Sequence, residues 1–265
     1  MADCDAGRDP YAGAAPGWAA DAALVYRPLA AALVRRHPGP LAGRVVLDAG
    51  AGTGLAGDEL ARAGARPLAV DLSADMLRWR RAERPPAVAG DVTRLPLADR
   101  CVDAAVAAFV LNHVPDPGAG VRELARVTRP GGAVLAAVYA NVESNGPRDA
   151  VDAAAVRAGF EPPAWYQELR TAWAPRTGTP EALAGLARAA GLLVLDAVDV
   201  AVDVGVRTAE DLVRYRFGQA QYSAWLSAMP AERAARVRAD AVAAARPVMA
   251  PYRPRVVHLV ARAVT

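Results

Sequence analysis

Three short apolar runs recur at close intervals, and each ends on an aspartate: VVLD (Val45–Asp48), PLAVD (Pro67–Asp71) and AVAGD (Ala87–Asp91). A run this short and this continuously apolar suits a strand buried on both faces of a parallel sheet. Helical segments separate the runs. LAGDELARAG sets Leu55 and Leu60 on one face and stops at Gly64, and Ser73 is placed to cap the next helix with Asp75 in its first turn. VDAAVAAFVL (Val102–Leu111) reads as a fourth strand. Asp116 and Pro117 open a helix whose buried stripe is Val121, Leu124, Val127 and Thr128. RPGG (Arg129–Gly132) reads as a turn into a fifth strand, AVLAAVY (Ala133–Tyr139). Thr179–Gly191 is a helix with a threonine cap and Leu183 and Leu186 inward. Leu192–Val204 and Arg255–Val264 are two last strands that pair at one edge of the sheet, with helical residues from Thr208 to Pro247 between them. The alternation predicts an α/β fold: a Rossmann-like, mostly parallel sheet of seven strands with helices on both faces and helical lid insertions.

The expected organisation is a helical lid segment over 1–40, a ligand-binding core over 41–140, a lid insertion over 141–178, a core helix and strand over 179–207, a second helical lid insertion over 208–250 and a closing strand over 251–265. In an open parallel sheet, ligands sit outside the carboxyl ends of the strands. Asp48, Asp71 and Asp91 each occupy such an end, so one side of the cleft is acidic. Between the first two lies AGAGTGLAG (Ala49–Gly57), which satisfies G-x-G-x-x-G over Gly52–Gly57. Dinucleotide binding fits it poorly. A carboxylate follows the strand directly, where a pyrophosphate would be repelled, and the fingerprint glycines begin four residues past Asp48. A ligand with a cationic amino or sulfonium group and no phosphate fits better, and S-adenosylmethionine is such a ligand.

Other features narrow the class. All 31 basic residues are arginine, which removes Schiff-base lysine chemistry, and the net charge is only +3. The densest basic run, RWRRAER (Arg78–Arg84), reads as an exposed helix end rather than a nucleic-acid contact. Cys4 and Cys101 give no disulfide framework, and no Cys/His spacing suits a metal. Met1–Pro10 is polar and acidic, unlike a signal peptide, and no 18-residue stretch lacks charges and helix breakers. The expectation is a reduced, cytoplasmic protein without a membrane span.

VLDAGAGTG (Val46–Gly54), VDLSADML (Val70–Leu77), GDVTRLPLADRCVD (Gly90–Asp103), FVLNHVPD (Phe109–Asp116) and RPGGAVL (Arg129–Leu135) follow in order over Val45–Tyr139. In these motifs the chain resembles the class I S-adenosylmethionine-dependent methyltransferases, in the branch of the ubiquinone/menaquinone-type and natural-product small-molecule enzymes. The resemblance implies cofactor-binding roles for Asp48, Ala49, Gly50, Gly52, Asp71, Leu72, Met76, Asp91, Val92, Ala108 and Phe109. Gly50 and Gly52 let the backbone approach the methionine part, Asp48 takes the amino end and Asp71 the ribose hydroxyls. Leu72 lies beneath the adenine, Asp91 and the Val92 N–H meet its edge, and Ala108 and Phe109 line the sulfonium region. Tyr11 and Tyr26 would close over the cofactor from N-terminal helices.

His113, just past a strand end, is the candidate general base; the alternative is a packed histidine that shapes the site, since the sequence shows no orienting partner for it. Relatives often carry histidine one position earlier too, where this chain has Asn112. Aromatic residues concentrate outside 41–140, where only Trp79, Phe109 and Tyr139 fall. That pattern predicts an apolar or aromatic small-molecule acceptor, with the aromatics serving the helices' own core as the alternative. The expected activity is methylation of a small biosynthetic intermediate, with oxygen preferred over nitrogen or carbon because that is common in the family. A cyclase or isomerase that keeps the pocket without transferring the methyl, and an NAD(P)-dependent oxidoreductase, remain as alternatives.

Overall fold

The structure is a computed structural model that describes residues 9–141 and 146–264. Cys4, most of the polar Met1–Pro10 stretch, part of the expected 141–178 insertion and Thr265 therefore lie outside the described residues. Among the described residues, seven strands form one sheet in the order β3-β2-β1-β4-β5-β7-β6. They are β1 (Val45–Ala49), β2 (Arg66–Asp71), β3 (Ala87–Ala89), β4 (Val102–Ala108), β5 (Thr128–Tyr139), β6 (Leu192–Ala201) and β7 (Arg255–Ala263). The first five run parallel, and β7 inserts antiparallel between β5 and β6. The order reverses at β1, between β2 on one side and β4 on the other, which is where an open α/β sheet leaves its ligand crevice.

Strand alternation divides the core in two. Val46, Ala104, Val106, Leu135 and Ala137 face one way. They pack with α2 (Ala23–Val34), α3 (Leu55–Arg62), α6 (Gly146–Arg157), α9 (Ala209–Phe217) and α11 (Ala231–Ala245). Leu47, Ala105, Ala107, Val134 and Ala136 face α5 (Pro117–Val127) and α8 (Pro180–Ala189). Three further helices, α1 (Ala15–Gly17), α7 (Ala164–Glu168) and α10 (Ala220–Ser227), are short, and α4 (Ala74–Arg78) follows β2. Caps fall where the side-chain chemistry places them: Ser73 accepts from the Met76 N–H, Asp116 from Ala119, Thr179 from Ala182 and Thr208 from Asp211.

Several boundaries differ from the sequence expectation. Arg129–Gly132 is a bulge within β5 rather than a turn before it: pairing slips between Val102 and Ala104, and Gly131 takes φ +80°. Gly132 is needed there because a Cβ would stand 2.5 Å from the Asp103 carbonyl oxygen. β3 stops at Ala89, and Asp91 heads a tight turn closed by a bridge to Arg94. β4 ends at Ala108 rather than Leu111, because Phe109 turns into the left-handed region at φ +63°. β6 ends at Ala201, three residues early.

One core position is poorly matched to its surroundings. His258 of β7 is 2% exposed, and neither ring nitrogen has a hydrogen-bond partner. Burial, then the nearby Arg36 charge, pushes its pKa down to about 4. The unfolded chain therefore takes up a proton below about pH 6.5 that the folded chain refuses until near pH 4, so folding weakens as pH falls through that window. His258→Leu should remove the penalty. Its stability gain over the parent, measured by urea unfolding, should be larger by about 1–2 kcal/mol at pH 5 than at pH 7.5.

Candidate functional site

The carboxyl ends of β1, β2 and β4 open into one cleft of about 1100 Å³, continuous with solvent. Its floor is the glycine loop. Asp48 points down from β1 and is 1% exposed; its Oδ2 accepts from the Gly57 N–H at 2.8 Å, the first turn of α3. Its Oδ1 is buried without a partner. Burial pushes this carboxyl up to about 7, against the pull of the Gly57 N–H and of Arg84. Asp71 stands opposite and accepts from the N–H groups of Gly52 (2.7 Å) and Ser73 (2.8 Å). Burial lifts its pKa too, against those two donors. Asp91 uses one oxygen to receive both the N–H and the hydroxyl of Thr93. An acid thus stands near the end of β1, at the end of β2 and two residues beyond β3.

The cleft brings together twelve of the thirteen cofactor positions read from the sequence: Tyr11, Tyr26, Asp48, Gly50, Gly52, Asp71, Leu72, Met76, Asp91, Val92, Ala108 and Phe109. His113 lines it as well. Ala49 does not line it: successive strand residues point to opposite faces, so its side chain is fully buried with Leu47 and Ala107 in the sheet's other core. Leu72 is 54% exposed, an apolar side chain held open at the cleft mouth. The sequence reading missed Thr53, Leu55, Ser73 and Val110, which also line the cleft. Their proximity to the glycine loop and the strand ends was the only signal for them.

The two loop glycines are required for different reasons. Gly50 (φ +70°) lies against the β4 end, and a Cβ there would stand 2.4 Å from the Val110 Cβ. Gly52 (φ +52°) borders open space, with nothing within 4 Å of its Cβ position.

The other side of the cleft is aromatic. Trp18 stacks on Tyr26 with centroids 4.7 Å apart, Tyr26 meets the edge of Phe109 at 5.4 Å, and Phe109 packs on Tyr139 at 5.0 Å. Tyr11 joins the series at Trp18 (5.8 Å) and Trp165 (5.9 Å). The Tyr11 hydroxyl also lies 2.6 Å from His113 Nδ1, so His113 does have an orienting partner, 102 residues away in the chain. Burial pushes His113 down to about 4, and burial raises Tyr11 well above its usual range, so both are neutral at pH 7.

Residues 47–136 match the family model described as "Methyltransferase domain". A stretch of 93 residues is 50% identical to the demethylmenaquinone methyltransferase of Mycolicibacterium paratuberculosis, covering 35% of this chain and 40% of that protein. The enzyme of that name from Mycolicibacterium vanbaalenii is 51% identical over 90 residues, covering 34% and 40%. Residues 47–136 are thus similar to a methyltransferase domain. The match spans about 40% of the length of those curated relatives, and the helices outside the domain are not part of it. Over the whole fold, the domain and its added helices superpose on a Haemonchus contortus phosphoethanolamine N-methyltransferase solved with S-adenosyl-L-methionine. The TM-score is 0.55 at 16% identity, covering 89% of this chain and 52% of that one. The [4+2]-cyclase SpnF is similar to the same extent, with TM-score 0.54 at 22% identity and coverage of 89% and 80%.

S-adenosylmethionine, the methyl donor of this class, fits what the cleft offers. The unpartnered Asp48 Oδ1 suits a cationic group, and Asp71 retains acceptor capacity on both oxygens after serving the loop. Among the described residues, no atom comes within 4 Å of the position a Cβ would take on Gly52. Among the described residues no arginine lines the cleft, so a pyrophosphate would meet its acids there without a counter-charge from them.

Steric contact and open space predict different outcomes at the two glycines. Gly50→Ala should destabilise the fold by roughly 2–4 kcal/mol, combining overpacking against Val110 with a left-handed backbone. Gly52→Ala should lose only about 1–2 kcal/mol. Urea unfolding of the two variants without ligand checks the order.

Proposed function

We propose that this chain is an S-adenosylmethionine-dependent methyltransferase acting on a flat, apolar small molecule of the quinone or phenol kind. The observation that carries the reading is that three strand-end acids and an aromatic wall share one cleft, with the β4 end at Phe109 between them. The cofactor supplies an activated methyl on a positively charged sulfur. On the chain's side, Asp71 would accept from the ribose hydroxyls, and Asp91 with the Val92 N–H would face the adenine edge. Asp48 would balance the α-ammonium of the amino-acid end. Tyr11, Trp18, Tyr26 and Phe109 would hold a ring against the methyl, so that orientation contributes much of the acceleration.

The Tyr11–His113 pair gives the acceptor a hydrogen-bonding partner at the same mouth. A ring with its pKa pushed down to about 4 is a weak base, well below the range suited to general-base work near neutrality. His113 therefore orients an acceptor oxygen by hydrogen bonding and does not store its proton. We place oxygen ahead of nitrogen and carbon as the methylated atom, on the family resemblance and on this pair. The demethylmenaquinone methyltransferases similar to this chain make a naphthoquinol the first acceptor to try, and because the methyl their substrate lacks is on a ring carbon, product analysis with it decides between oxygen and carbon.

Thermal unfolding with S-adenosylmethionine and with S-adenosylhomocysteine is the first test, and both should stabilise the protein. Asp71→Ala should weaken binding of each by about tenfold to hundredfold, since it removes a charged acceptor for two hydrogen bonds. Absence of any shift with either compound in the parent protein would refute the cofactor assignment. Formation of S-adenosylhomocysteine during turnover separates methyl transfer from a cyclisation of the SpnF kind, which would leave the cofactor intact.

A further inference from the structure

Arg84 closes the basic run Arg78–Arg84, yet it is not part of a solvated helix end. α4 stops at Arg78, Arg80 takes φ +50°, a single turn of 3-10 helix spans Arg81–Glu83, and the chain then turns Arg84 inward behind the glycine loop. Arg78 and Arg80 pair with Asp75 and Glu83 at the surface. Arg84 instead donates from one nitrogen, Nη1, to two backbone carbonyls: Gly52 at 3.0 Å and Met76 at 2.8 Å. Those carbonyls belong to the two walls of the cofactor cleft, the glycine loop and the segment after β2. Its Nη2 lies 3.5 Å from the position a Cβ would take on Gly54, and both Nε and Nη2 are buried without a hydrogen-bond partner. Arg84 itself does not line the cleft.

An arginine keeps its charge even when desolvated, so this is a fixed positive charge under the loop. The acids that feel it are Asp48 at the end of β1, Asp71 at the end of β2 and Asp58 in α3. Asp58 is paired with Arg27 of α2, and Asp9 from the N-terminal segment adds its own negative charge at Asp71. The buried Asp48 and the partly buried Asp71 thus line the cleft, with one half-buried cation behind them.

We infer that Arg84 is a positioning residue of the cofactor cleft: its guanidinium ties the glycine loop to the wall after β2 and sets the charge that Asp48 and Asp71 present to a cationic ligand. The consequence is a preference between the two forms of the cofactor. The methyl donor carries a sulfonium and the demethylated product does not, so the ionised acids favour the donor. With the guanidinium gone, Asp48, already pushed up to about 7, ionises at higher pH, so the pH at which the preference appears moves upward, although a cationic sulfur then meets one less positive charge. The inference rests on the cofactor reading given above.

The test is calorimetric titration of S-adenosylmethionine and S-adenosylhomocysteine between pH 6 and 8.5 into the parent protein, Arg84→Lys and Arg84→Gln. Glutamine keeps a donor for the carbonyls without the charge; lysine keeps the charge. The donor-to-product affinity ratio cancels the amino-acid end that both ligands share. Arg84→Gln should move the rise of that ratio with pH upward by about one pH unit. Arg84→Lys should hold the ratio near the parent's even if both affinities fall. Equal losses for both ligands in both variants, or no change in Arg84→Gln, would overturn the inference. A parent protein that binds neither ligand would remove the cofactor reading and this inference with it, whereas a parent that binds both while the variants behave alike removes this inference only.

Discussion

The buried carboxyl of Asp48 is the interaction on which the cleft depends. A strand that ends on a desolvated acid needs a donor at once, and the Gly57 N–H at the first turn of α3 provides it. To bring that N–H within 2.8 Å the chain must double back in the few residues between, which it does through positive φ at Gly50, Gly52 and Gly54. The same fold-back sets the Gly52 N–H on Asp71 of the next strand. One acid thus fixes the loop, and the loop fixes the second acid. The arrangement leaves negative side chains around a space that no bulky group fills, which is a setting for a cation.

The aromatic side arises from a different constraint. Small residues dominate β4 and β5, with alanine at 104, 105, 107, 108, 133, 136 and 137, so neighbouring layers approach the sheet closely there. The volume missing from the sheet is supplied by rings carried in from outside the methyltransferase domain. Trp18 and Tyr26 come from before β1 and Tyr215 from α9; the Tyr139 and Tyr215 hydroxyls lie 2.9 Å apart. Behind them the Arg216 guanidinium, 5% exposed, is neutralised by Asp152 of α6 and bonded to Gln219, which in turn donates to the Tyr26 hydroxyl. The aromatic wall is therefore anchored to the added helices, whereas the glycine-loop floor is anchored to the sheet.

Much of this was legible in the chain itself. Asp48, Asp71 and Asp91 announced strand ends because an acid directly after a continuous apolar run has few other places to sit. The caps at Ser73, Asp116 and Thr179 followed from side-chain chemistry acting over three residues. What failed to show were features decided by partners distant in sequence. The Arg129–Gly132 stretch has the composition of a turn, but Asp103 of the neighbouring strand turns it into a bulge. Ala49 sits in the motif, yet the alternation of the strand sends it into the opposite core. Arg84 looked like surface charge, and no local pattern says that the two carbonyls it serves, 32 and 8 residues away, would face one guanidinium.

The sequence by itself determined the parallel sheet, the glycine loop and the three acids. Their signals are periodicity, backbone freedom and short-range hydrogen bonding, all of which act within a few residues. Only the tertiary structure decided that Tyr11 meets His113, that both are held neutral, and that one arginine lies beneath the loop. Those outcomes depend on desolvation and on contacts closed across as many as 102 residues, and burial exists only once the layers have packed.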